Sequence, residues 1–139
     1  GRRSSFADPD ANNILAATIS KEPLGPVTAN GDTNWSDIVR WVVFATITAE
    51  ELGIDSTNVD SFAGGDNPAV ARFLGEDGGY GTALGISDDF TVQVIKAVGN
   101  YGEIYDRSFG PETALNLGRE GTLNALWTEG GLMYSPPFR

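Results

Sequence analysis

The stretch that decides the fold is NWSDIVRWVVFATITAEELG, residues 34–53. Apolar or small residues recur there at steps of three and four positions, which predicts one face of an α-helix. They are Trp35, Ile38, Val42, Ala45, Ala49 and Leu52. Val39, Val43 and Ile47 add a second apolar face. A helix this apolar must be covered on most of its surface, because its polar strip is narrow.

Capping residues mark the ends of two predicted helices. Asn34 or Thr33 can cap the start of the long helix, and Gly53 suits the position just after its end. Pro68 fits a first helical position with Asn67 before it as the cap. The segment PAVARFLG, residues 68–75, is therefore predicted to be a short helix.

Residues 88–110 are predicted to form a second long helix, capped by Ser87. One stripe of this helix is apolar or aromatic, and we expect it to pack into the core: Phe90, Val94, Val98, Tyr101 and Tyr105. Glu103 and Arg107 have the order that favours an i,i+4 ion pair. Gly99 and Gly102 each cost about 1 kcal/mol against alanine inside a helix. Close approach of another backbone would explain both glycines.

Glycine also dominates residues 75–85, GEDGGYGTALG. This segment has neither the spacing of a P-loop nor that of a dinucleotide-binding turn, and its acidic residues would repel phosphate. We therefore predict a mobile surface loop. Farther along, Leu123 to Trp127 are predicted to form a short helical turn that Gly130 and Gly131 end.

Two prolines define the character of residues 19–27, ISKEPLGPV. Pro23 and Pro26 lack an N–H and push the residue before each of them toward extended geometry. Residues 19–27 are thus predicted to be a stiff, extended segment that can pair on one side at most. The apolar run before it, NILAATI at residues 13–19, is predicted to be a short strand. The fold class predicted from all these elements is mainly α with one or two short β-strands.

Composition excludes several classes of function. The formal net charge of −10 disfavours nucleic acid and anionic lipid as partners. Without cysteine or histidine, the chain can have no disulfide, no thiolate or imidazole metal site and no Ser–His–Asp triad. Its acidic residues also lack the spacing of a calcium loop. We accordingly predict a binding protein that is not an enzyme and has no cofactor or metal.

Two features of the sequence concern targeting: its first ten residues and the length of its apolar runs. GRRSSFADPD at residues 1–10 has arginines without a following apolar region, so it is not a signal peptide. No run approaches the roughly 20 apolar residues of a transmembrane helix. A first residue other than Met is compatible with processing and with a chain cut from a longer one.

Several stretches resemble the C-terminal part of the periplasmic general L-amino-acid-binding proteins of polar amino acid ABC transporters. They are ISKEPLGPV, NGDTNWSDIVRWVVFATITAEELGI, ARFLG, ALGISDDFTVQVIKAVGNYGEIYDRSFG and LNALWTEGGLMYSPPFR. The match runs in collinear order from Ile14 to Arg139 and is least regular between Gly110 and Thr122. The resemblance implies the C-terminal part of an α/β type II periplasmic binding fold, whose two lobes close on a ligand.

The resemblance also implies a division of the chain. Residues 1–30 would be the end of the second lobe and the extended return segment of the hinge, and residues 31–139 the helical C-terminal part of the first lobe. The hinge itself would comprise Ser20, Lys21, Glu22 and Pro23. Lys21 and Glu22 would then lie near the interlobe region, where two interpretations stay open: contact with the ligand, or a solvated pair on an edge strand.

Two functions follow from this comparison. In the first, the chain is a truncated piece of a periplasmic solute-binding protein that delivers L-amino acids to the membrane permease of an ABC transporter. The groups that hold the ligand's α-carboxylate and α-amino group would then lie mostly upstream, and the ligand-binding residues of this chain are unknown. In the second, it is a self-associating structural module that buries its apolar surface in a homodimer and binds no ligand of its own.

Overall fold

The computed structural model describes residues 2–15, 17, 19, 20 and 23–139, and helices dominate it. The α-helices are α1 (Thr33–Glu51), α2 (Pro68–Leu74), α3 (Tyr80–Leu84), α4 (Phe90–Val98) and α5 (Tyr101–Phe109). Short 3-10 turns occur at Arg2–Ser5, Pro9–Ala11, Val59–Phe62 and Trp127–Glu129. None of the helices in this part of the chain is long and apolar enough to cross a membrane.

The predicted mainly helical class is confirmed, but the predicted strands are not found. No strand is present among the described residues, where only an isolated bridge joins Leu126 and Met133. The short strand predicted over residues 13–19 is absent from those of its residues that the structure describes; Ala16 and Thr18 lie outside them. A strand needs a neighbour for its backbone hydrogen bonds, and no second strand is available there.

The long helix α1 forms where the sequence predicts it. Its N-cap is Asp32, not Asn34 or Thr33, and the Asp32 carboxylate accepts a hydrogen bond from the backbone N–H of Trp35 at 2.9 Å. At the other end, Gly53 has a φ of +70°, a left-handed conformation that suits the residue after a helix.

The second predicted long helix is wrong in length, because the chain breaks into α4 and α5 at Gly99. Gly99 has a φ of +78°, and Asn100 then caps α5 through a reciprocal capping box with Glu103. The predicted Glu103–Arg107 pair does not form. Glu103 instead accepts hydrogen bonds from the Ser56 side chain at 2.5 Å and from the Asn100 backbone at 2.8 Å.

The ends of this helix pair also differ from expectation. Ser87 does not cap the helix; its hydroxyl bonds the Asp89 carboxylate, and Asp89 is the N-cap of α4 without a side-chain capping bond. Arg107 donates to the Val98 carbonyl at 2.9 Å. Arg107 thus supplies a hydrogen bond to a carbonyl at the end of α4, as cationic side chains often do at helix C-termini. The sequence did not predict this contact.

Helix α2 begins as predicted, with Pro68 in its first turn and the Asn67 side chain accepting from the Ala69 N–H at 3.0 Å. The predicted loop at residues 75–85 instead contains helix α3. Its Gly81 is buried against the next turn: a Cβ there would lie 2.0 Å from the carbonyl oxygen of Ser87. The glycine therefore allows two backbone segments to touch, which explains part of the glycine richness.

The core lies between α1, α2 and α4 and is completed by the C-terminal segment. Its largest fully buried side chains are Phe73, Ile54, Ile95 and Thr91. Phe138 is 6% exposed and contacts aromatic rings from four helices. These rings are Trp41, Phe73, Tyr80 and Phe90, with centroids 5.0, 5.5, 6.2 and 6.4 Å from that of Phe138.

A mostly buried ion pair, which we call the clasp, ties residues 110–124 to α1. The Arg119 guanidinium donates to both oxygens of the Glu50 carboxylate, at 2.7 and 3.1 Å, and the two side chains are 11% and 17% exposed. Arg119 also lies over the rings of Tyr101 and Tyr105, at 5.1 and 5.6 Å. Gly102 faces these two charged side chains and not another backbone, so the predicted reason for this glycine is wrong.

We expect Gly81→Ala to lower the free energy of unfolding by about 2 kcal/mol, because the added methyl group must displace the backbone at Ser87. Urea unfolding followed by circular dichroism would measure the change. Gly118→Ala is the matched control, since a Cβ there meets nothing within 4 Å. Equal stability of the two variants would contradict the close approach.

We expect Glu50→Gln to lower the free energy of unfolding by about 3 kcal/mol, since it leaves the mostly buried Arg119 charge without its partner. The exposed pair of Asp37 and Arg40 serves as the control, and Asp37→Asn should cost less than about 1 kcal/mol. A double-mutant cycle of Glu50→Gln with Arg119→Met would measure the coupling directly. A coupling energy near zero would mean that the clasp does not stabilise the fold.

Candidate functional site

The connector, residues 12–27, is the most exposed apolar segment of the chain. Its described residues form no helix or strand. Ile19, Leu24 and Val27 are 97%, 96% and 95% exposed, and Ile14 and Leu15 are exposed as well. Several apolar side chains with this much solvent exposure in one segment are unusual for a folded protein of this size. The connector is therefore the strongest candidate for a surface that other parts of a protein cover.

The structure describes two of the four residues predicted to form the hinge. Ser20 and Pro23 are exposed and lie in the irregular connector. Lys21 and Glu22 lie outside the described residues. Their predicted role beside a ligand, and the alternative of a solvated pair, therefore stay predictions.

The connector meets the rest of the chain at the first turns of α1. The hydroxyl groups of Thr28 and Ser36 are 2.6 Å apart, and Ser36 also donates to the Asp32 carbonyl at 2.8 Å. A shallow cavity of about 300 Å³ lies beside this contact, between Pro26 and the side chains of Val39 and Val43. The end of the connector is thus fixed to α1, while the residues before Pro26 are held by few contacts.

Burial along α1 is uneven. Its buried residues all lie in the second half of the helix: Ala45, Thr46, Ile47 and Ala49. In the first half, Trp35 is 51% exposed and Ile38 and Val39 are half-buried. The helix is fully buried only in its second half; in its first half most side chains are half-buried, so the predicted coverage is partial there. The less buried first turns of α1 adjoin the end of the connector, at the shallow cavity between Pro26, Val39 and Val43.

A separate cleft lies at the other end of α1. It has a volume of about 360 Å³ and is lined by Glu51, Arg72, Trp127, Tyr134 and the C-terminal residues, among others. The indole N–H of Trp127 donates to the Glu51 carboxylate at 3.0 Å. Burial raises the pKa of the Glu51 carboxyl above its ordinary value of 4.5, and the hydrogen bond from Trp127 partly opposes this.

Sequence reasoning missed this cleft, because its polar residues are far apart in the chain. Glu51 follows Glu50 on a charged strip of α1, Arg72 lies on α2, and Trp127 lies in the 3-10 turn near the C-terminus. No local motif joins them. Among the described residues, no three acidic side chains come together as a metal site would require.

Curated relatives match almost the whole chain. It is 48% identical over 139 residues to the general L-amino acid-binding periplasmic protein AapJ of Rhizobium johnstonii, covering 99% of this chain and 40% of that protein. It is 50% identical over 127 residues to the glutamate/glutamine/aspartate/asparagine-binding protein BztA of Rhodobacter capsulatus, covering 91% and 37%. The putative amino-acid ABC transporter-binding protein YhdW of Escherichia coli K12 is 44% identical over 138 residues, covering 99% and 40%. No protein-family model matches the chain.

A solved structure has the same fold. An ABC transporter/periplasmic binding protein from Brucella ovis, with glutathione bound, superposes with a TM-score of 0.90 at 45% identity. The superposition covers 99% of this chain and 43% of that one.

The predicted resemblance is confirmed: the chain is homologous to amino-acid-binding periplasmic proteins of ABC transporters. These relatives are binding proteins and not enzymes, in agreement with the prediction from composition. The chain spans about 40% of the length of the curated relatives that it matches.

We expect the indole N–H resonance of Trp127 to shift with pH as Glu51 titrates, with a midpoint above 4.5. A raised folded pKa means that folding favours the protonated carboxyl. The contribution of Glu51 to stability is therefore fully present below 4.5 and is lost as the pH rises through its folded pKa. Two-dimensional ¹H–¹⁵N NMR would follow the resonance. Glu51→Gln should abolish the shift, and a midpoint at or below 4.5 would contradict the expectation.

Proposed function

We propose that this chain is part of the periplasmic solute-binding component of an ABC transporter for L-amino acids. Residues 1–30 would supply the end of the second lobe and the hinge return, and residues 31–139 the helical part of the first lobe. The observation that carries the proposal is the exposure of the described apolar side chains of the connector, which meets the first turns of α1. That surface needs a cover, and the longer relatives have additional chain to supply one.

The connector has the physical properties of a hinge strand. Pro23 and Pro26 restrict the backbone around them, so that bending is confined to a few bonds. Its far end is fixed by the contact between Thr28 and Ser36, and its other described residues are exposed. A segment that is fixed at one end and exposed at its other described residues can change direction at low energetic cost. We assign the hinge to Ser20, Lys21, Glu22 and Pro23.

The ligands named for the relatives have one chemical feature in common. General L-amino acids, glutamate, glutamine, aspartate and asparagine all carry a free α-amino and α-carboxylate group. Glutathione, which is bound in the Brucella ovis protein, carries the same pair of groups on its glutamyl residue. We propose that the longer protein recognises this pair between its lobes, with N–H or guanidinium donors for the carboxylate and a carboxylate for the ammonium. Lys21 and Glu22 are the residues of this chain nearest to that region in the proposal.

Self-association is a second candidate function, and the same apolar surface supports it. Two copies could cover the connector and α1 of one another in a homodimer. The net charge of −10 per chain opposes this arrangement at low salt. The solute-binding proposal explains both the surface and the identity to the relatives, whereas self-association explains the surface alone.

The test uses the longer protein that contains this chain. We expect L-glutamate, L-glutamine and glutathione each to bind with a stoichiometry near one by calorimetry. Small-angle X-ray scattering should show a smaller radius of gyration in the presence of ligand, because the lobes close. Pro23→Gly should loosen the hinge and change the affinity, with Pro111→Gly, at an exposed position away from the connector, as the control.

Absence of saturable binding would reject the proposal. An affinity and a compaction that are both unaffected by Pro23→Gly would reject the hinge assignment alone.

Sedimentation of the 139-residue chain tests the alternative function, self-association. A concentration-dependent dimer that Leu24→Ser abolishes, together with no ligand binding by the longer protein, would favour self-association.

A further inference from the structure

The cleft at the end of α1 lies far from the point where the connector contacts this helix. Ser36, where the connector is fixed, and Glu51, which lines the cleft, are separated by 15 residues of one continuous helix. At 1.5 Å per residue this is about 22 Å. The cleft is formed by α1, α2 and the C-terminal segment, and its volume of about 360 Å³ suits a small molecule. It is therefore a separate feature that the hinge does not explain.

One side of the cleft is suited to an ammonium group. The Glu51 carboxylate accepts a hydrogen bond from Trp127 and forms no ion pair with any cation in the described chain. The rings of Trp127 and Tyr134 meet edge to face at 6.1 Å and are about half-exposed at the mouth of the cleft. A carboxylate beside aromatic rings attracts a cation through both its charge and the faces of the rings.

The other side is suited to a carboxylate. The Nε of Arg72 donates to the Phe138 carbonyl at 3.1 Å, which fixes the orientation of the guanidinium plane. Within the described structure its Nη atoms donate no hydrogen bond, so they are available to a ligand. A guanidinium held in this way binds a carboxylate with two parallel hydrogen bonds.

Glu51 and Arg72 do not neutralise one another. Both line the same cleft, yet no ion pair joins them in the described structure. Apolar groups complete the lining between them, including Leu52, Pro137 and Phe138. Arg139 also lines the cleft, so its charged side chains are one carboxylate and two guanidinium groups. An occupant with an ammonium group, a carboxylate and an apolar body would find a partner for each in this lining.

We propose that this cleft is a binding site for a small zwitterion with an apolar side chain, of the class of aromatic amino acids. Glu51, Trp127 and Tyr134 bind its ammonium group, and Arg72 binds its carboxylate. The site lies within the 139 residues and does not depend on the interlobe site proposed above. Its test therefore needs only this chain.

L-Phenylalanine is the probe, and two analogues each lack one charged group. Phenethylamine has no carboxylate, and 3-phenylpropionate has no ammonium group. At neutral pH, ¹H–¹⁵N NMR would follow the indole N–H resonances of the chain's 3 tryptophans. Phenylalanine should shift the Trp127 resonance saturably and leave that of Trp35 unchanged. Each analogue should bind about tenfold more weakly, because it loses one charge-assisted contact.

Variants separate the two sides of the cleft. Glu51→Gln should weaken phenylalanine about tenfold and leave 3-phenylpropionate unaffected, since only the ammonium contact is lost. Asp37→Asn, on the same helix and away from the cleft, should change neither affinity. The indole spectrum also reports whether each variant is folded.

Three results would overturn the proposal. The first is no saturable shift of Trp127 up to the solubility limit of phenylalanine. The second is equal affinity for phenylalanine and both analogues, which would mark the cleft as an apolar depression only. The third is an affinity that Glu51→Gln leaves unchanged in a folded protein.

Discussion

Phe138 is the contact on which the arrangement of the helices depends. Its ring meets aromatic rings from α1, α2, α3 and α4, so one side chain near the C-terminus completes the core that four helices share. The Phe138 carbonyl also accepts a hydrogen bond from Arg72, which holds the terminal segment against α2. Edge-to-face packing adds to the area that such rings bury, so this segment contributes to the core well beyond its length. The clasp of Glu50 and Arg119 likewise holds residues 110–124 against α1.

The two ends of α1 differ in how deeply their side chains are buried. The fully buried residues of α1 all lie from Ala45 onward, whereas its first turns are half-buried or exposed and the described residues of the connector are mostly exposed. An isolated domain would lose stability by displaying this much apolar surface, because each exposed side chain forgoes the free energy of burial. The surface is explained if chain present in the longer relatives covers it. The connector meets the first turns of α1 at Thr28 and Ser36, and the cleft of Glu51 and Arg72 lies at the other end of the helix.

Local signals predicted the elements of this fold better than their boundaries. The apolar periodicity of residues 34–53 predicted α1, and the Asn67–Pro68 pair predicted the start of α2, because both signals act within a few residues. The break between α4 and α5 was missed, although Asn100 and Glu103 have the spacing of a capping box that could have revealed it. Helix α3 was mistaken for a mobile loop because the glycine that permits its packing, Gly81, is also typical of loops. The predicted strand failed for a different reason: a strand forms only with a neighbour, and its partner cannot be read from its own residues.

The sequence by itself determined the mainly helical class, the positions of α1 and α2 and the relationship to amino-acid-binding proteins. These depend on residue type, on local spacing and on similarity along the chain, all of which survive without a folded structure. Only the tertiary structure decided which face of α1 is covered, why Gly102 is a glycine, and that Glu51, Arg72 and Trp127 line one cleft. Residues distant in the chain meet only after the helices pack, and nothing in their local sequence specifies the neighbours that packing brings to them.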